Sequence, residues 1–298
     1  MTIRFNPDLY AGILAGLNIN NRDQALALQE LSTGRRVSVP SDDPGATATV
    51  IGIHSRSAQL DQFSQSVSTV QGMLQTGDAA LGSVVTALTQ AISLGVQAGD
   101  GILSTTDRAN MAGQIQNIAT QVMGLANTTY QGTYIFAGTK SGAPAYVADP
   151  LSPTGVTYQG NTATNQVEVI PGQTQTVNVA GSQIFSSGSA DVFAALTNLA
   201  QAAQSGTGVP AAVTQLRTAF DHVTSQRTFY GSKLQALDNA QSFLAADKVQ
   251  LSSQENTAVG VDLAKAATDI QKALTERSAL LAAGGKIQTA SLLDFLRG

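Results

Sequence analysis

The side chains that could do chemistry are few and scattered. Histidine occurs twice, at His54 and His222, each without a second ligand nearby in sequence, and there is no cysteine. A metal site needs several ligands at short spacing. The missing thiols exclude disulfides, zinc thiolates and cysteine nucleophiles, and leave the redox compartment open. Serines and aspartates abound, but no G-x-S-x-G frames a serine as nucleophile. Gly284–Gly285–Lys286 superficially matches the end of a phosphate loop, yet the earlier glycine would fall at position 280, which is Leu280. The residues therefore predict no catalytic group, no metal and no cofactor. The chemistry expected of this chain is packing.

One cluster of charge stands out. Residues 31–44 read LSTGRRVSVPSDDP, in a chain only 12% charged, against ~25% in ordinary domains. A helix through Leu28 and Leu31 is expected to end at Ser32–Thr33–Gly34, with Gly34 as the left-handed terminator. Arg35 and Arg36 then lie near its carbonyl end, where positive charge is favourable. Val37–Ser38–Val39 should be extended, because Val39 precedes Pro40. Asp43 is placed to cap a second helix with Pro44 at its first position, and Asp42 to add negative charge at that amino end. This is a capped corner between helices. The same four charges, Arg35, Arg36, Asp42 and Asp43, are candidates for polar contacts between subunits.

The elements around the corner follow from heptad spacing. From Val213, the positions Leu216, Phe220, Val223, Arg227, Tyr230, Leu234, Leu237, Gln241, Leu244, Lys248 and Leu251 step by threes and fours. That pattern predicts a coiled-coil-like helix of roughly 60 Å, needing partners of similar length. Val67, Val70, Leu74, Gly77, Leu81, Val84 and Leu88 supply one such seam, and Met111, Ile115, Ile118, Val122 and Leu125 another. Between them Gly99 and Gly101 should end one helix, with Thr106 or Asp107 capping the next. Gly77, on the seam itself, points to close backbone approach by a neighbour.

Both chain ends continue the theme. Leu14, Leu17, Leu28 and Leu31 fit one seam if Asn21 and Gln24 or Ala25 fill the intervening positions; Leu263, Ala267, Ile270, Leu274 and Leu281 form another, interrupted by Arg277. The last seam is out of phase with the one ending at Leu251, and a joint is expected near Gly260. In the middle, from about 138 to 188, the helical period vanishes. Short alternating runs at 167–170 and 176–179 flank the turn signal Pro171–Gly172, and Val192, Phe193, Leu196 and Leu199 return the chain to helix. The expected fold is mainly α with a small β insert, a long helical bundle built from both chain ends. Its expected divisions are 1–40 and 255–298 as terminal helices, 41–139 and 189–254 as bundle halves, and 140–188 as the inserted β-domain.

Composition bounds the partners. The net charge is −4 with no lysine–arginine stripe, so nucleic acid is not expected. No window approaches 18 uninterrupted apolar residues, so no membrane span is expected. The amino end lacks the basic and apolar regions of a cleaved secretory signal. A weakly charged surface favours association, here read as a surface covered by other subunits.

The corner also resembles a family signature. LSTGRRVSVPSDDPGAT is similar to the amino-terminal signature of bacterial flagellin-family proteins, and most like the members found at the hook–filament junction. GTYIFAGT at 132–139 and SLLDFL at 291–296 resemble further stretches of that family. The likeness covers about 1–140 and 215–298; His54 and the trailing Arg297–Gly298 depart from the pattern, and the β-region matches nothing named. The resemblance implies a structural protein of the flagellum, exported without a cleaved signal peptide to an extracellular hook–filament junction. Its implied partners are copies of itself in a ring, the hook-side junction protein, flagellin and a cytosolic export chaperone. Flagellin itself, or an adhesin or glycan-binding module carried by the insert, are the alternatives. The implied subunit interface takes in Leu14, Leu17, Leu28, Leu31, Arg35, Arg36, Asp42, Asp43, Leu263, Ile270, Leu274, Leu281, Leu292, Leu293 and Phe295. The sparse end seams carry the further expectation that both ends order only when neighbouring subunits cover them.

Overall fold

The computed structural model describes the backbone of residues 7–100 and 103–297, and the side chains of 11–100 and 103–286. The helices are α1 (Pro7–Thr33), α2 (Pro44–Ala98), α3 (Thr105–Ala126), α4 (Gly181–Phe185), α5 (Val192–Ser205), α6 (Val209–Val259) and α7 (Leu263–Arg297). The strands are β1 (Thr129–Tyr130), β2 (Thr133–Tyr134), β3 (Tyr146–Ala148), β4 (Val156–Tyr158), β5 (Gln166–Ile170) and β6 (Gln173–Thr176). They pair as three antiparallel hairpins, β1–β2, β3–β4 and β5–β6. The fold is mainly α with a small β insert, as the periodicity requires. The chain divides into two compact units, residues 59–246 and residues 1–58 with 247–298. Both α2 and α6 contribute to each.

In the unit of residues 59–246 the heptads behave as written. Val67, Val70, Leu74, Leu81, Val84 and Leu88 of α2 are buried, as are Val213, Leu216, Val223, Tyr230, Leu237 and Leu244 of α6. The two helices run antiparallel. Gln241 donates to the Ser64 hydroxyl at 2.7 Å, Tyr230 lies over Gly77, and Val213 over Gly95. A Cβ at position 77 would stand 2.7 Å from the Tyr230 ring, so the seam glycine does mark close approach. Arg227, at a seam position, is tolerated because its Nε and a terminal nitrogen each donate to a different Asp78 carboxylate oxygen, both at 3.0 Å. The most apolar 18 residues of α2 average a hydropathy of 1.6, enough by length and composition for a membrane span. Its seam side chains are nonetheless buried against protein.

Two local details differ from the sequence reading. The cap of α3 is Ser104, whose hydroxyl accepts from the Asp107 amide and donates to the Asp107 carboxylate. Asp107 is thus the residue the cap holds, through both its amide and its carboxylate. Leu125 is only half-buried, and Ala126 takes the buried place beside α5. Gly101 lies outside the described residues.

The insert is anchored by aromatics. Phe136, Tyr146, Phe185 and Phe193 are fully buried, and their ring centroids lie 4.9 to 6.2 Å apart. Such pairs add about 0.5–1.5 kcal/mol each beyond their area. The stretch GTYIFAGT therefore supplies the floor of the insert: Ile135, Phe136 and Ala137 are buried. Gly138, at φ +68, ends the run where a Cβ would strike the Asn161 carbonyl at 2.2 Å. Asn127, the cap of α3, locks β3 by accepting from the Tyr146 amide and donating to its carbonyl.

Candidate subunit interface

In the unit of residues 1–58 and 247–298, α1 and α7 pack antiparallel. Their seam is not the leucine line expected from the sequence. The residues that meet are small or polar: Ala27, Ala266 and Ala273 are buried, Leu280 lies on Gly16, and Ile13 on Gly284. Asn20, 4% exposed, donates to the Ala273 carbonyl at 2.9 Å. Asn20 rather than Asn21 is therefore the seam asparagine. Small side chains let the two backbones approach closely, and that contact rotates the expected leucines outward. Leu14, Leu28, Leu263, Leu274 and Leu281 are exposed, each by 43% or more. Leu17, Leu31 and Ile270 are half-buried. Ile19 and Leu26 join the uncovered set. The side chains of Leu292, Leu293 and Phe295 lie outside the described residues, although α7 runs through them.

The charged corner forms as its residues dictate. Gly34 adopts φ +70 and donates to the Glu30 carbonyl at 2.8 Å, closing α1. Asp43 accepts from the Ala46 amide at 2.9 Å, capping α2. Asp42 has another task. One of its carboxylate oxygens accepts the amides of Ser38 and Val39, at 3.0 and 2.9 Å, folding the extended run back on itself. The Ala46 amide, followed by the Arg36 guanidinium, holds the Asp43 carboxyl below its ordinary range.

The corner is laced to the joint between α6 and α7. Arg35 and Gly260 form an antiparallel bridge, in which the Arg36 amide donates to the Val259 carbonyl at 2.8 Å and the Val261 amide to the Gly34 carbonyl at 3.1 Å. Gly260 is required there, since a Cβ would meet the Asn256 carbonyl oxygen at 2.3 Å. Side chains tighten the lacing. Arg36 donates to Asp43 and to the Ala258 carbonyl, both at 3.1 Å. Glu255 accepts from Arg35 and meets His54 Nε2 at 3.1 Å, and Arg56 pairs with Asp247 at 3.1 Å. These pairs are largely exposed, so each contributes only about 0–1 kcal/mol; together they fix geometry. The sequence offered no sign of Glu255, because its partners lie some two hundred residues away. Among the described residues no group of histidine and carboxylate side chains could hold a metal ion.

This corner lies within a recognisable region. Residues 9–141 match the bacterial flagellin N-terminal helical region. Over those residues the chain is similar to that region. Nearly all of α1, the corner, α2 and α3 fall inside it, which bears out the resemblance read from LSTGRRVSVPSDDPGAT. Flagellar hook-associated protein 3 of Salmonella typhimurium is 32% identical over 180 residues, 60% of this chain and 55% of the relative. The chain thus spans about half the length of the curated relatives it matches. Among solved structures, FlgL of Bacillus cereus superposes with a TM-score of 0.60 at 23% identity, over 69% of this chain and 99% of that one. The flagellar junction protein FlgL of Legionella pneumophila gives 0.59 at 16% identity, over 72% of this chain and 100% of that one. At such identities the likeness shows a shared fold.

Proposed function

We propose that this chain is a structural subunit of the bacterial flagellum, placed at the hook–filament junction as an adaptor between the hook-side junction protein and the flagellin filament. The observation that carries the reading is the outward row Leu14, Leu28, Leu263, Leu274 and Leu281 beside a seam of alanines. A helix pair joined by small residues has little buried area of its own, and its leucines remain for a neighbour to cover. The relatives' names supply the setting; the exposed leucines supply the reason to assemble. Copies of the same chain cover this face in a ring, with the half-buried Leu17, Leu31 and Ile270 at its edge; the sequence adds Leu292, Leu293 and Phe295, outside the described side chains, as further candidates. Arg35, Arg36, Asp42 and Asp43, already joined within the chain, set the angle of the helix pair and leave their exposed edges for neighbouring subunits. Export to the cell exterior, with a cytosolic chaperone on the carboxy end, belongs to the same reading.

The test is assembly of the purified full chain carrying Leu28→Gln with Leu274→Gln. Loss of higher-order species in sedimentation, with circular dichroism of the monomer unchanged, is the expected result. Assembly at wild-type concentrations would reject the leucine face. The matched region is named for flagellin itself, which favours one second reading, a filament subunit. Electron microscopy separates the two: a filament subunit propagates into long filaments alone, and an adaptor stops at short rings or caps.

A further inference from the structure

A shallow cavity of about 320 Å³ opens between the β5–β6 hairpin and α6. It lies in the insert-bearing unit and plays no part in the leucine face. Its floor is apolar, with Val169 and Leu237 both buried. Its rim is formed by Phe243, 52% exposed, together with the amide side chains of Gln173, Gln175 and Asn239. No ionisable side chain lines it. The three amides form no hydrogen bond to another described residue.

We infer that this groove binds a neutral saccharide of one or two rings. An aromatic face carries a negative quadrupole and is itself apolar. The C–H face of a sugar ring is weakly positive and apolar, so the two surfaces match. Each glutamine or asparagine amide both donates and accepts, which is what a pair of adjacent hydroxyl groups requires. An acidic sugar would need a cation, and the lining has none. The volume sits at the small end of ligand pockets, roughly 300–1,000 Å³, room for one or two rings and little more. A half-exposed phenylalanine on a hairpin-covered helix also has a bland use, as a contact for a second copy of the chain. The amide rim favours the sugar, because a protein neighbour would have to match all three amide side chains or leave them buried without partners.

The experiment is calorimetric titration of the full chain with maltose, N,N′-diacetylchitobiose and, as the charged comparison, sialyllactose. Saturable binding of a neutral disaccharide with Kd of about 1 mM is expected. Phe243→Ala should weaken it about tenfold or more, and Gln175→Leu with Asn239→Leu should do the same while keeping the groove's bulk. Sialyllactose should bind more weakly than the neutral sugars. Failure of both neutral sugars to saturate overturns the inference, as does binding that Phe243→Ala leaves unchanged. A self-association that Phe243→Ala abolishes, with no sugar bound, overturns it in favour of a second copy. None of these outcomes touches the assembly of the leucine face, which Leu28→Gln with Leu274→Gln reads separately.

Discussion

Tyr230 lies so close over Gly77 that a single added methyl group would sit 2.7 Å from its ring carbon Cε1. The ring is fully buried, and burial raises its hydroxyl pKa above the ordinary phenol value. The tyrosine therefore has no route of retreat. Gly77→Ala gains about 1 kcal/mol of helix propensity and incurs overpacking of about 1–3 kcal/mol. Net destabilisation is expected. Gly231→Ala, on the same long helix as Tyr230 with nothing within 4 Å of its Cβ, should stabilise by up to about 1 kcal/mol. Urea unfolding of the two variants should give shifts of opposite sign.

The two glycines of the joint fail for different reasons. Gly34→Ala places a side chain at φ +70 with open space around it, a backbone strain of about 1–3 kcal/mol; Gly34→Asn should be milder, since asparagine tolerates that conformation. Gly260→Ala meets a carbonyl oxygen of its own chain and must move the bridge. Hydrogen exchange should show faster exchange of the Arg36 and Val261 amides in Gly260→Ala, with the α2 seam unchanged.

Glu255 is shared by Arg35 and His54. Arg35→Glu should loosen the joint while changing global stability by less than about 1 kcal/mol, as exposed pairs do. Adding Glu255→Arg should restore both joint protection and assembly. If assembly survives Arg35→Glu intact, the joint does not control how the terminal pair is presented.

Acid should undo the α2 cap only below the ordinary carboxylate range. The Asp43 carboxyl is held below its ordinary value of 3.8, so its ionised form is favoured by folding. Its contribution is present above that value and is lost as pH falls through the lower folded value. Protection of the Ala46 amide, corrected for its intrinsic exchange rate, should accordingly fall as the pH drops through that lower value. Asp43→Asn, which still accepts a hydrogen bond, should flatten that dependence.

One buried leucine side chain stabilises an interface by about 1.5–3 kcal/mol. Leu274→Gln alone should therefore weaken assembly by about 2 kcal/mol, roughly thirtyfold in the association constant. Sedimentation across a concentration series reads this directly. Hydrogen exchange on residues 263–286 in monomer and assembly tests the companion expectation. Protection there should rise on assembly, and strong protection already present in the monomer would count against it.

Heptad spacing made the α2 and α6 seams readable, because large apolar residues there pair with large apolar residues. Gly77 was readable for the same reason, since a gap in such a line implies a neighbour. The terminal helices misled. Their leucines are the most hydrophobic residues present, yet alanines, glycines and Asn20 form the contact between α1 and α7. Within one chain, close backbone packing of small residues prevailed, and no single-sequence pattern reveals which surface a second molecule will take. The capped corner was legible to the residue at Gly34 and Asp43. Its ties to Glu255 and Gly260 were not, because long-range pairing leaves no local trace.

The bridge between Arg35 and Gly260 has a consequence for how such chains can diversify. With the side-chain ties around it and the α1–α7 seam, it fastens the incoming and outgoing arms to each other, so the spacing of those arms is set before the polypeptide enters the intervening two hundred residues and after it returns. Hairpins can be lengthened, exchanged or deleted in that interval without disturbing how the arms are held. A lineage could thus remodel those hairpins freely while keeping the two arms unchanged.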